Sequence, residues 1–182
     1  MAEEANDQHQ IAIILNALGV ERLLVGDYDR AKDSLSQAAT ICQRLGNRII
    51  GAYTSGNQGF VAMKQGNYSC AFELLSETIL ILQDMGDKED AIWCLEPIAF
   101  IAKEQRFPEK TARLLGASES LRKEIDVIRS QPRQTDYDKY LAETRNQLGE
   151  AIFEAAWVEG CAMSYEQAIA YAVDKSSKRS GA

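Results

Sequence analysis

One segment of the chain occurs twice in full and a third time in worn form, and that recurrence limits the fold more than any other feature. Residues 18–31 read Leu-Gly-Val-Glu-Arg-Leu-Leu-Val-Gly-Asp-Tyr-Asp-Arg-Ala and lead to Arg-Leu-Gly at 44–46. Gly19, Gly26, Tyr28, Ala31, Leu35, Ile41 and Gly46 return, each 40 residues later, as Gly59, Gly66, Tyr68, Ala71, Leu75, Ile81 and Gly86. The third pass keeps Ala99, Arg106, Pro108, Thr111, Leu115 and Leu121 in register. A fixed period of this size is the mark of a stacked repeat, in which each unit buries its apolar face against its neighbours.

Each unit reads as a helix hairpin. Gly26-Asp27 and Gly66-Asn67 turn the chain, and Tyr28 and Tyr68 open the return helices. Ala31, Leu35, Ala38, Cys42 and Leu45, then Ala71, Leu75, Thr78, Leu82 and Met85, are spaced by threes and fours and form one buried stripe per helix. Gly19 and Gly59 lie on the first helices, where a missing side chain lets two helices pack closely.

A Leu-Gly pair, then Gly-Asp/Asn-Tyr at the turn, then Ala on the return helix resembles the tetratricopeptide repeat. The unit of about 40 residues is similar to the long-helix variant found in bacterial regulators. Gln58 and Ile98 stand where the first copy has Leu18, and the first aromatic position of the family pattern holds Leu15, Ser55 or Leu95. The ending has a resemblance of its own. Arg-Leu-Leu-Gly-Ala at 113–117, Ala-Trp-Val-Glu-Gly at 156–160 and Met-Ser-Tyr-Glu-Gln-Ala at 163–168 look like the close of the repeat region in large bacterial ATPase-linked transcriptional regulators. The resemblance implies an all-α, right-handed solenoid of three hairpins with a C-terminal helical cap.

The expected organisation runs as follows. Residues 1–10 are read as the remnant of a preceding return helix, because Ala5-Asn6-Asp7 stands in the register of Leu45-Gly46-Asn47; a short chain with a frayed start is the alternative. Three repeats cover 11–128, divided as 11–47, 48–87 and 88–128. Pro108 fits the first turn of a helix, whereas Pro97 falls inside one, at a cost of roughly 3 kcal/mol unless the helix bends. Residues 129–134 read as a loop, with Thr135 as the N-cap of the next helix. A cap follows over 135–174, its last helix opened by the capping box Ser164-x-x-Gln167, and a flexible basic tail covers 175–182.

Several function classes are disfavoured by composition. The 182 residues carry a formal charge of −7, the wrong sign for a phosphate-binding surface. Cys42, Cys70, Cys94 and Cys161 lack the paired spacing of zinc or redox sites and read as small hydrophobes in a cytoplasmic protein. The single histidine, His9, lies outside the repeats, and no phosphate-binding Gly-x4-Gly-Lys-Ser/Thr loop is present. No catalytic, metal or cofactor residues are therefore expected. The apolar stretch around Ile11–Val25 holds Glu21 and Arg22 and is too short to span a bilayer.

What remains is a binding surface. In the family it resembles, the first helices line a concave groove, and register places Ile13, Tyr53 and Trp93 in one row of it and Val20, Phe60 and Phe100 in another, with Asn16, Met63, Lys64 and Glu96 between them. Such rows suit an apolar peptide or helix. Cover by the chain's own C-terminal helices is the competing reading. Asn57 and Lys64 match a carboxylate clamp only in part. The expectation is a non-catalytic protein-interaction or regulatory sensor module, the C-terminal part of a larger bacterial signalling or transcription regulator. Its partner would be a protein or peptide segment, including another domain of its parent; the alternative is a small-molecule effector domain.

Overall fold

The structure is a computed structural model and describes residues 2–175. The part of the basic tail beyond Lys175 lies outside the described residues. Nine helices are present among those described, and no strand. They are α1 (Ala2–Leu24), α2 (Tyr28–Leu45), α3 (Arg48–Lys64), α4 (Tyr68–Met85), α5 (Lys88–Glu104), α6 (Pro108–Glu124), α7 (Gln131–Leu148), α8 (Glu150–Cys161) and α9 (Tyr165–Val173). The protein is all-α and built from successive helix pairs, as the repeat predicts. Two compact units divide the chain, Met1–Ile81 and Leu82–Ala182.

The repeat register is visible in the backbone. Left-handed residues occur at Gly26, Gly46, Gly66 and Gly86, and the series continues through Arg106 (φ 66°) and Asp126 (φ 56°) after glycine is lost. Every turn of the three hairpins thus keeps its geometry at twenty-residue intervals, whatever residue occupies it. Short polar side chains begin the helices. Asp27 accepts from the Arg30 N–H, Asn47 from Ile50 (3.1 Å), Asn67 from Cys70 and Asp87 from Asp90 (3.2 Å). Each satisfies one of the donors that a helix start leaves over.

Within the first unit, Ala31, Leu35, Ala38, Ala71 and Leu75 are fully buried along the predicted stripes. Glycine explains how closely the hairpin helices approach. A Cβ placed on Gly19 would lie 2.6 Å from Leu35 Cγ, and one on Gly59 would lie 2.9 Å from Leu75 Cγ and 3.4 Å from the Ala71 carbonyl. The two copies make the same contact one repeat apart.

The second unit departs from the expected cap in two places. Helix α7 starts at Gln131 rather than Thr135: Ser130 is extended, Pro132 occupies the first turn where its missing N–H is harmless, and the Thr135 hydroxyl donates to the Gln131 carbonyl inside the helix. The expected loop over 129–134 therefore ends at 130. Helix α8 packs on α6 through glycines, since a Cβ on Gly116 would come 2.6 Å from the Trp157 carbonyl oxygen. Phe153 and Ala156 are buried there with Ala112, and Leu141, Leu148 and Trp157 pack around them. The capping box at the start of α9 is complete: Gln167 N–H donates to Ser164 Oγ (3.3 Å) and Ser164 N–H to Gln167 Oε1 (2.9 Å).

At the other end α1 is one unbroken helix from Ala2. Ala5, Asn6 and Asp7 make no turn and belong to the first turns of α1, not to the end of a separate return helix. Polar side chains continue the helix into its neighbours, with a hydrogen bond between His9 Nδ1 and Asn47 Nδ2 (2.7 Å) and another from Arg44 to Gln8.

Candidate functional site

The candidate residues fall in both units, with Ile13, Asn16, Val20, Tyr53, Phe60, Met63 and Lys64 in the first and Trp93, Glu96 and Phe100 in the second.

In the first unit α1 and α3 lie side by side, tied by a hydrogen bond from Asn57 Nδ2 to Asn16 Oδ1 (3.1 Å). Tyr53, Asn57, Phe60 and Lys64 recur at helical spacing along one face of α3, and Ile13, Asn16 and Val20 do so along α1. All seven are half-buried. The Lys64 ammonium stands 5.4 Å from the centre of the Phe60 ring, within reach of a cation–π attraction. Met63 points elsewhere, being only 5% exposed, and belongs to the core. The face so formed offers two aromatic rings, two amides and one cation.

In the second unit the corresponding positions are occupied from within. Phe100 is buried and stacks on Tyr140 of α7, ring centres 4.0 Å apart and planes within 12°. The Arg133 guanidinium lies 4.6 Å over the Trp93 ring, and Lys103 pairs with Glu143. Residues 93, 100 and 103 of α5 thus meet residues 133, 140 and 143 of α7, the same 40-residue offset that separates the repeats. Helix α7 sits against α5 as a further first helix of the series.

Glu96 is not a surface residue at all. Its Oε1 accepts from the Ser118 hydroxyl, Arg122 Nε and Arg129 Nε, each at 2.8 Å, with the three charged side chains 4–7% exposed. Arg129 also reaches Glu119 (2.7 Å) and lies 3.7 Å over the Tyr137 ring, whose hydroxyl donates to the Leu115 carbonyl. Burial pulls the Arg129 pKa down, but Glu96 and Glu119 more than restore it, so the guanidinium stays charged. The Nη2 groups of Arg122 and Arg129 have no partner among the described residues. Spacing alone could not reveal this cluster, because Arg122 and Arg129 lie on the last turn of α6 and the linker after it and read as solvated charge.

Among the described residues no group of three or more His, Cys, Asp or Glu is placed to hold a metal ion. Burial raises the Cys42, Cys94 and Cys161 thiol pKa values, which keeps them protonated and poor nucleophiles. No described helix is long and apolar enough to cross a membrane.

Helix pairs in a fixed 40-residue register, with a mixed aromatic and amide face on the first two, define a helical-repeat scaffold. No family model matches the chain. Over 78 residues it is 35% identical to proteins bearing the name Putative HTH-type transcriptional regulator, one from Mycobacterium bovis and others from Mycobacterium tuberculosis strains CDC 1551 and H37Rv. The match takes in 43% of this chain and 9% of each relative, so the chain corresponds to a small part of those proteins.

Proposed function

We propose that the chain is a regulatory interaction module, a tetratricopeptide-like stack of helix hairpins that binds a protein or peptide segment and performs no catalysis. The observation that carries this reading is the α1–α3 face, where Tyr53 and Phe60 stand half-exposed beside the Asn16–Asn57 pair and Lys64. Aromatic rings desolvate readily and anchor interfaces, while amides and a cation around them fix the register of a bound segment. The likeness to proteins named as transcriptional regulators supports a regulatory role. On this reading the chain is the C-terminal part of a larger cytoplasmic bacterial regulator and binds either another protein or a domain of its own parent, shifting the parent between states for which the bound segment has different affinity.

The test is a capture experiment on the chain and on its Tyr53→Ala and Phe60→Ala variants, run beside a thermal-shift screen of metabolites. A protein partner retained by the parent chain and lost by both variants supports the module. A metabolite that raises the melting temperature, with no partner that depends on either ring, contradicts it in favour of an effector domain.

A further inference from the structure

Helix α7 is held on the second unit differently from its neighbours. Of its 18 residues only Tyr137 and Thr144 are buried, against eleven of 17 in α5 and ten of 17 in α6. Its outward positions, among them Gln131, Thr135, Asp138, Lys139 and Asn146, are polar and exposed, so that side calls for no cover. What fastens the inward side is mostly charge and ring contact. Arg133 lies over Trp93, Tyr140 stacks on Phe100, and Lys103 meets both Glu143 and, at 5.1 Å, the Tyr140 ring. Leu141 and Leu148 add half-buried contact to the Phe153 cluster. A helix with so few buried apolar side chains holds little of the stability of its unit.

The helices before and after α7 do not need it to stay together. Helices α6 and α8 pack directly on each other, Gly116 against the Trp157 carbonyl and Gly160 against the Arg113 backbone, so α7 can leave without parting them. Irregular chain brackets it, with Asp126 left-handed at φ 56° before it and Gly149 at φ 75° and ψ 156° after it. The firm hold is at its entry. Arg129 joins Glu96 of α5 (2.8 Å) and Glu119 of α6 (2.7 Å), and its guanidinium lies 3.7 Å over the Tyr137 ring of α7. One side chain thus ties three helices. We propose that α7 is a releasable strap latched by Arg129: it opens from the unit as one piece while α5, α6 and α8 stay folded, lifting Tyr140 off Phe100 and Arg133 off Trp93. This goes beyond the partner-binding reading and does not depend on it, since the α1–α3 face includes no residue of α7.

The experiment is native-state amide hydrogen exchange of the intact chain, read on peptides by mass spectrometry. A releasable strap predicts that residues 131–148 exchange together, about a hundredfold or more faster than residues 108–124. Arg129→Gln should speed exchange over 131–148 by about tenfold or more, because the latch is broken when the strap opens. Ser164→Ala separates local from global opening without disturbing α7. It weakens the cap of α9, which stays folded when the strap opens, so it should speed exchange over 108–124 by about fivefold and leave 131–148 unchanged. Equal protection of the two segments in the parent would overturn the inference. So would an Arg129→Gln variant with unchanged exchange over 131–148, or a Ser164→Ala variant that speeds both segments alike.

Discussion

Gly160 lies directly on the backbone of Arg113: a Cβ at Gly160 would come 2.0 Å from the Arg113 carbonyl oxygen and 2.8 Å from its Cα. Backbone atoms cannot rotate aside as a flexible side chain can. Gly160→Ala should therefore prise α8 from α6 and cost about 3 kcal/mol, the upper part of the usual range for overpacking. Urea unfolding followed by circular dichroism measures it.

Gly59→Leu tests the repeat register in the first unit. The Gly59 position faces Leu75 Cγ at 2.9 Å and Leu74 Cβ at 3.2 Å, leaving no room for a branched side chain. A loss of roughly 1–3 kcal/mol is expected, and a variant that melts like the parent would contradict the packing.

These two glycines also show how far the sequence could be read. Gly59 was legible because Gly19 repeats it at the fixed interval, and periodicity is what sequence inspection detects. The packing of Gly160 was not, since its counterpart Gly116 is 44 residues away and on no shared period. The start of α7 was missed for a related reason: Pro132 reads as a breaker, yet a helix accepts proline in its first turn. The rows containing Trp93 and Phe100 were found by register, but their cover by Arg133 and Tyr140 depends on a fourth first helix that lacks the glycine and tyrosine signals of the repeat.

Arg106 sits at φ 66° where the earlier repeats use Gly26 and Gly66. A residue with a Cβ pays about 1–2 kcal/mol for this conformation, offset in part by the extra freedom glycine has when unfolded. Arg106→Gly should thus stabilise the protein by roughly 0.5–1 kcal/mol, visible as a higher urea midpoint with an unchanged slope.

Glu96 holds two buried guanidiniums, so Glu96→Gln should be more damaging than loss of a surface ion pair. Breaking one side of a buried pair costs about 3–5 kcal/mol. The nearby carboxylates predict opposite pH effects. Burial raises the Glu119 pKa, but hydrogen bonds and charge from Arg129 and Lys123 bring it below its ordinary value. Its stabilising contribution is present above the ordinary carboxylate range and is lost as pH falls through the lowered value. Burial, then Asp87 and Glu89, raise the Asp90 pKa, so its contribution is fullest in acid and fades as pH rises through the raised value. Glu119→Gln should flatten the acid limb of a stability profile, and Asp90→Asn should stabilise the protein at neutral pH with little effect in acid.

The central claim is that the α1–α3 face is a recognition surface, and Phe60 is its most informative residue because it is half-exposed whereas Phe100, its counterpart two units of the period from Val20, is buried under Tyr140. The direct measurement is a calorimetric titration of the captured partner against the parent chain and against Phe60→Ala. The account predicts a loss of about 1–3 kcal/mol in binding, the range for an aromatic anchor, with helical content intact. An affinity that ignores the substitution would contradict it.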